Sequence, residues 1–343
     1  MCLKIHKHNI RKWDSEEVYL QDPQPREMTC RQSLRNSEDP EFKEAFISNI
    51  QLFMHREHLN ITEWNRLSQF SNPFGFMGYN YTVVKQAVDL IPKPRDHQLL
   101  PVPTADKQGC IRCAVVATGG ILNGSRMGKE IDSHDYVFRM NGAVVRGHEE
   151  DVGTRTSVFV HTAHSLVALL SSFPSADIPS HIPVDEGIRY VLILERLWDF
   201  HFLRALLLNM TVPVGKYNRE MPIKYFLGHF DINKYYVLHP DFLRYIRNRY
   251  LKSWHLNALT WHMFRPTNEA FSLFLAVHLC DVVDAYGFIT GNHRKYPNYY
   301  FKKNQSEAVF YMNHNYKLEI DLWERLHASK IIKLYQRQED IQL

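Results

Sequence analysis

One stretch constrains this chain more than any other: residues 110–165, which read CIRCAVVATGGILNGSRMGKEIDSHDYVFRMNGAVVRGHEEDVGTRTSVFVHTAHS. The apolar run Ala114 to Val116 leads straight into Thr118-Gly119-Gly120, and the segment beyond has helical composition until Tyr136-Val-Phe opens a second strand. The order is strand, glycine turn, helix, strand. Glycines in such a turn let the backbone approach a ligand, and the helix behind them offers unpaired N–H groups and a positive dipole end to a phosphate. A nucleotide site is therefore one reading of the unit; a plain tight turn is the other.

The same alternation continues along the chain. Strands are predicted at Tyr190 to Leu194, Tyr235 to Leu238, Val282 to Ile289 and Ile331 to Tyr335. Helices are predicted at Leu197 to Leu208, Asp241 to Lys252 (after Pro240), Glu269 to Leu279 and Ala308 to Lys330. Ahead of the central unit, helical spacing marks Glu41 to Phe53, Ile61 to Phe70 and Tyr81 to Leu90. Four prolines between Pro92 and Pro103 then make an extended connector. Strands alternating with helices predict a doubly wound, mostly parallel α/β sheet of Rossmann-like type, with its ligand beyond the strand C-termini. Residues 1–28 are polar, carry Pro23 and Pro25 and lack periodicity, so they are expected to form a stem, with one domain over residues 29–343.

Composition narrows the compartment. A net charge of +4 over 343 residues is too mild to argue for nucleic acid. No window reaches the ~18–20 apolar residues of a membrane span, and the basic N-terminus lacks the apolar core of a secretory signal. Those features alone describe a cytosolic protein, but two others point to a lumen. Glycosylation sequons stand at Asn60, Asn80, Asn123, Asn209 and Asn304, where chance would supply about two. Five cysteines fit two bridges and a spare thiol; zinc held by Cys110-x-x-Cys113 is the rival reading, and no second ligand pair completes it. A membrane anchor outside this chain is the corresponding expectation.

The ordered phrases Pro73-Phe-Gly-Phe-Met, Ala114-Val-Val with Gly119-Gly-Ile-Leu-Asn, Ile131-Asp-Ser-His-Asp-Tyr-Val-Phe-Arg, Asp151-Val-Gly-Thr-Arg-Thr-Ser, Leu238-His-Pro-Asp-Phe, Ala285-Tyr-Gly-Phe-Ile-Thr and Phe310-Tyr-Met-Asn-His carry more than periodicity. From about Cys30 to Arg337 the chain resembles the eukaryotic sialyltransferases, glycosyltransferase family 29, in the branch that attaches sialic acid α2,6 to O-linked N-acetylgalactosamine (GalNAc). The resemblance implies a single-domain, GT-A-like variant of the doubly wound fold and residence in the Golgi lumen. It further implies an inverting transfer from CMP-sialic acid to GalNAc of mucin-type glycoproteins, with no metal ion or other cofactor.

The resemblance also assigns residues. His314, with Glu319 five residues on, matches the motif whose histidine is the general base; an imidazole suits that work, although a lone histidine at a helix start is otherwise a cap. Thr118, Gly119, Asn123 and Asn141 of the large motif, Thr267 and Asn268 of the small motif, and Tyr300 would hold the donor. Asn123 is also a sequon, so nucleotide and glycan compete for it; Asn60, Asn80, Asn209 and Asn304 are the remaining glycosylation sites. Cys113–Cys280 corresponds to the family's bridge, and Cys30–Cys110 is the second pair, with Cys2 left over.

Three motifs depart from the family pattern. Thr118 stands for an asparagine, Asn268-Glu269 for a hydroxyl residue and glycine, and Tyr299 for a histidine. They motivate a second reading, a transferase-like protein that binds glycan or a partner enzyme without turnover. Among other candidates, His161 and His164 read as ring packing more than ligand contacts. His55 and His58 lack metalloprotease spacing, and Arg244, Arg247, Arg249 and Lys252 read as one solvated basic helix face.

Overall fold

The computed structural model describes residues 16–24, 30–94, 99–103, 109–172, 181–302 and 308–337. Seven strands form one sheet: β1 (Arg112–Val116), β2 (Tyr136–Met140), β3 (Val158–Thr162), β4 (Arg189–Ile193), β5 (Tyr235–Val237), β6 (Val282–Tyr286) and β7 (Lys333–Leu334). Among the described residues ten α-helices accompany them: α1 (Pro40–Ala45), α2 (Ile61–Leu67), α3 (Tyr81–Val88), α4 (Gly128–Asp132), α5 (Glu149–Val152), α6 (Ala163–Ser172), α7 (Leu197–Leu207), α8 (Pro240–Arg249), α9 (Asn268–Leu279) and α10 (Tyr316–Ala328).

The sheet runs β5-β4-β3-β2-β1-β6-β7, and every ladder is parallel. Val115 of β1 pairs with Phe138 on one side and Ala285 on the other. Parallel strands need helices over both faces, so central strands are apolar throughout rather than alternating. Cys113, Ala114, Val115 and Val116 are fully buried. Alternate residues of β1 enter opposite cores: Cys113, Val115 and Ala117 join the large cluster, and Ala114 and Val116 the small one with Ile131, Val152 and Tyr300. Helix α9, buried along almost its whole length, packs against β1, β2, β3 and β6. Strand order reverses between β1 and β6, and there the two outgoing loops open a crevice.

Both disulfides expected from the resemblance form. Cys113 at the start of β1 joins Cys280 at the end of α9, and Cys30 joins Cys110. The two sulfurs of Cys110-x-x-Cys113 thus go to different partners, which removes the zinc reading; Cys2 lies outside the described residues.

Several predicted elements differ. The helix expected over Glu41 to Phe53 stops at Ala45. Residues 50–54 instead run extended, Phe53 bridging Leu238 and Met54 N–H donating to Val237, because β5 is an edge whose backbone groups need partners. The single helix expected after the glycines is a 3₁₀ turn, Gly120–Leu122, followed by α4. Between them the Gly124 and Arg126 N–H groups donate to the Asp151 carboxylate, a better bargain for the backbone than continuing the helix. Strand β6 ends at Tyr286, as Gly287 has φ +71°. Helix α10 begins only at Tyr316, capped by the Asn315 side chain, so residues 308–315 are free of it. Residues 16–24, assigned to the stem from composition, pack on the domain: Gln21 bridges Ile50, and Tyr19 is buried.

The basic helix is the largest correction. Arg244 and Arg247 of α8 are buried, and Lys252 falls outside the helix. Arg247 lies over the Phe74 ring at 4.0 Å. Arg244 lies over Phe70 at 4.1 Å and reaches Asp241 at 2.8 Å. Arg66 reaches the same carboxylate at 2.7 Å, and the Leu20 N–H donates to it at 2.8 Å. Burial alone would raise the pKa of Asp241; His239, Arg66 and Arg244 outweigh it and hold the carboxylate well below its ordinary value. Desolvated cations are tolerated when such a partner is fixed, and stranded when it is removed. Asp241→Asn should therefore cost about 3–5 kcal/mol in urea unfolding near neutral pH, whereas an exposed basic face would leave the midpoint unchanged.

Candidate active site

The crevice at the switch point opens into a cavity of about 240 Å³. Three loops floor it: residues 117–121 after β1, Asn141 after β2, and residues 287–290 after β6. Residues 265–269 at the start of α9 and residues 308–316 before α10 wall it. Hollows of about 430 Å³ and about 410 Å³ elsewhere are roomier, but neither draws a residue from the loops after β1, β2 or β6, so size does not decide the site.

The glycines serve a crossing of backbones. Gly119 N–H donates to Gly287 O at 2.9 Å, and Gly119 bridges Tyr299. A Cβ on Gly119 would strike the Gly287 carbonyl, and one on Gly120 the Pro297 carbonyl. These residues still line the cavity, but the expected helix N-terminus behind them is the short 3₁₀ turn. Helix α9 does bring its N-terminus to the cavity, capped by Thr267, whose Oγ1 accepts from Ala270 N–H at 3.2 Å.

His314 is half-buried at the cavity wall. Its Nδ1 lies 2.8 Å from the Arg265 carbonyl oxygen. A carbonyl only accepts, so Nδ1 carries the proton and Nε2 keeps its lone pair. Burial, reinforced by the Arg265 charge, lowers its pKa to about 4, which keeps the ring neutral near physiological pH. Arg265 is held in turn by an ion pair with Glu195, donates to Asn268 Oδ1 at 3.1 Å, and receives its own backbone tie from Arg265 N–H to Asn313 O at 3.0 Å. Asn268 Nδ2 donates to Asn141 Oδ1 at 2.7 Å, and Asn141 Nδ2 donates to Glu269 Oε1 at 3.0 Å.

Within this frame the match to known proteins is extensive. The model of glycosyltransferase family 29 (sialyltransferase) matches residues 53–331. The chain belongs to that family. It is 44% identical over 95% of its length to alpha-N-acetylgalactosaminide alpha-2,6-sialyltransferase 1 of Gallus gallus and 42% identical to that of Homo sapiens, and it spans 58% and 55% of those proteins. It is 39% identical to alpha-N-acetylgalactosaminide alpha-2,6-sialyltransferase 2 of Mus musculus over 89% of this chain and 82% of that one. In fold it resembles a mammalian sialyltransferase crystal structure at TM-score 0.59 and 22% identity, covering 91% of this chain and 100% of that one.

Of the residues singled out from this family's motifs, Thr118, Gly119, Asn141, Thr267, Asn268 and His314 line one cavity. Asn123 does not; it is exposed in the turn after the 3₁₀ segment, where it is open to a glycan. Tyr300 is buried behind the wall, its hydroxyl donating to Val144 O at 2.5 Å, while Tyr299 faces the cavity. Glu319 neither orients His314 nor meets solvent: it is buried and accepts from Thr267 N–H at 2.8 Å and Thr267 Oγ1 at 2.6 Å. His161 is buried and stacks on Phe159; exposed His164 accepts from Lys216 Nζ at 3.1 Å; His55 and His58 pack ring to ring. Asn60 and Asn80 are exposed N-caps of α2 and α3, and Asn209 is exposed. Asn304 lies outside the described residues.

Sequence reading missed Arg265 and His293. His293 brings a second imidazole to the cavity, with Nδ1 3.0 Å from Thr290 O. Arg265 stands two residues before the Thr267 cap, and that proximity was the one available signal.

Burial pushes Glu319 up from its ordinary value to about 8 despite the two bonds from Thr267. The native state then keeps a proton that the unfolded chain has lost, so this group lowers stability as pH rises from the ordinary carboxyl range toward about 8. Glu319→Gln retains the acceptor for Thr267 N–H and does not ionise. Its unfolding free energy in urea should match the parent near pH 4.5 and exceed it near pH 8 by at least about 1 kcal/mol; an equal difference at both pH values would mean that Glu319 is not protonated in the fold.

Proposed function

We propose that this chain is the catalytic part of an inverting sialyltransferase that moves sialic acid from CMP-sialic acid, in α2,6 linkage, onto GalNAc O-linked to Ser or Thr of mucin-type glycoproteins. The observation that carries the reading is His314, a neutral imidazole with Nε2 unprotonated at the switch-point cavity, in a chain whose relatives bear the names of α2,6-sialyltransferases acting on GalNAc.

The reaction follows from those parts. His314 Nε2 takes the proton of the acceptor O6 hydroxyl as that oxygen attacks the anomeric carbon of sialic acid, opposite the phosphate. The bond from that carbon to the phosphate oxygen breaks, its electron pair leaves with CMP, and the configuration inverts. In the free protein burial, reinforced by the Arg265 charge, holds the imidazole pKa low. A bound dianionic donor supplies the opposite field and raises it toward the operating range when the base is needed. The α9 N-terminus with the amides of Asn268 and Asn141, together with the Thr118 hydroxyl, presents donors suited to phosphate and ribose, while the N–H groups of Gly119 and Thr267 are committed to Gly287 O and Glu319 and shape the floor and wall. The proposed setting is the Golgi lumen; among the described residues no helix is long and apolar enough to cross a membrane. Glycans are proposed on Asn60, Asn80, Asn209 and Asn304. At the first two, Oδ1 accepts the capping bond from Glu63 N–H and Val83 N–H and Nδ2 is the atom a glycan takes.

The reading of a partner that binds without turnover rested on Thr118, Glu269 and Tyr299. Curated transferases at 39–44% identity favour turnover.

A CMP-release assay with CMP-sialic acid and a GalNAc-Thr glycopeptide, on glycosylated, disulfide-intact protein in EDTA, tests the proposal. Release accompanied by a sialylated glycopeptide is expected, and His314→Gln should lose about 10²–10⁴-fold in rate while still binding CMP in calorimetry. Binding of CMP without any product would return the chain to the non-turnover reading.

A further inference from the structure

The polar groups that should receive the donor are already engaged, and the group at the end of their chain is itself acidic. Glu195 pairs with Arg265, Arg265 donates to Asn268, Asn268 donates to Asn141, and Asn141 donates to Glu269. Arg265, Asn268, Asn141 and Glu269 all line the cavity. Arg265 is its single Arg or Lys among the described residues. Glu269 lies in the first turn of α9, a helix of 12 residues, where a carboxylate is favoured by the helix dipole and would occupy the field that otherwise serves an external anion. Glu269 thus does not turn away from the cavity, as a carboxylate replacing glycine could have done.

We propose that Glu269 is a built-in anion of the donor site. Its carboxylate holds the Asn141 amide and the positive end of α9, which the donor's phosphate or carboxylate must take over, and so it sets donor affinity. This rests on the reading that the cavity takes CMP-sialic acid. Burial opposes ionisation of Glu269 and raises its pKa, so the carboxylate is itself uneasy in this place; a second anion brought beside it adds repulsion to the cost of displacing it from Asn141. Glycine at the position would remove both charge and bulk. Glutamine would remove the charge alone while keeping an oxygen for Asn141 Nδ2.

Calorimetric titration of CMP-sialic acid, CMP and uncharged cytidine into the glycosylated full chain separates these contributions, with Glu269→Gly and Glu269→Gln run beside it. Both variants should bind CMP-sialic acid more tightly, Glu269→Gly by at least about tenfold and Glu269→Gln by less, while cytidine changes by under about twofold. Glu269→Gln, close to isosteric, carries the test if the glycine variant unfolds at lower temperature. Parent protein that binds CMP-sialic acid while neither variant binds it more tightly overturns the role of Glu269 and leaves the transferase reading standing. Absence of binding by the parent and both variants overturns the two together. Equal gains for cytidine and CMP-sialic acid would assign the effect to bulk and overturn the anion.

Discussion

The backbone contact between Gly119 and Gly287 is the constraint on which the rest of this molecule depends. Two loops leave adjacent parallel strands, β1 and β6, in opposite topological directions, yet they touch through a main-chain hydrogen bond of 2.9 Å. Neither loop could approach the other with a side chain between them, since a Cβ on either glycine would meet main-chain atoms of the partner loop. Because the loops meet there, the Tyr299 bridge, the 3₁₀ turn and the cavity floor all follow in fixed places. The glycine turn that reads in sequence as a phosphate cradle is first a joint between two halves of the sheet.

Around that joint, many motif residues hold backbone. The Asp132 carboxylate accepts from the N–H groups of Thr154 and Arg155, and Asp151 accepts from Gly124 and Arg126. Buried Arg139 donates to the carbonyls of Val152 and Arg155. Asp241 gathers Arg66, Arg244 and the Leu20 N–H. Asp132, Asp151 and Arg139 spend a charge on main-chain groups that irregular loops would otherwise leave unpaired, and Arg139 and Asp241 do their work fully buried. Motif phrases such as Ile131-Asp-Ser-His-Asp and Asp151-Val-Gly-Thr-Arg are therefore scaffolding for the cavity more than chemistry within it.

The cavity itself is governed by desolvation. His314 and Glu319 are driven toward their neutral forms, which leaves the Arg265–Glu195 pair and the Glu269 carboxylate bonded to Asn141 as the charges of the site. A neutral imidazole whose Nδ1 is committed to a carbonyl has its lone pair directed by geometry rather than by a neighbouring acid. Glu319 takes no part in that alignment. It fixes Thr267, and through it the first turn of α9, which is how a residue five positions along from His314 still acts on the site.

What the sequence determined by itself was the class of fold and the order of most strands and helices; through the family resemblance its motifs also indicated both disulfide pairs and six of the residues that line the cavity. Parallel strands flanked by helices leave an apolar and glycine signature that survives without coordinates, and the motif phrases carried Thr118, Asn141, Thr267 and His314 to one place. Tertiary structure decided the rest. Helical spacing over residues 46–53 yielded to the unpaired edge of β5, and the basic pattern of α8 turned inward because Asp241 and the rings of Phe70 and Phe74 were there to receive it. Asn123 faced out, Tyr300 was buried behind Tyr299, Glu319 chose Thr267, and Arg265 and His293 entered the cavity. Local periodicity records which backbone shape a segment prefers. Which side chains share a cavity, and which buried charges find partners, depends on segments far apart in the chain, and only packing brings those together.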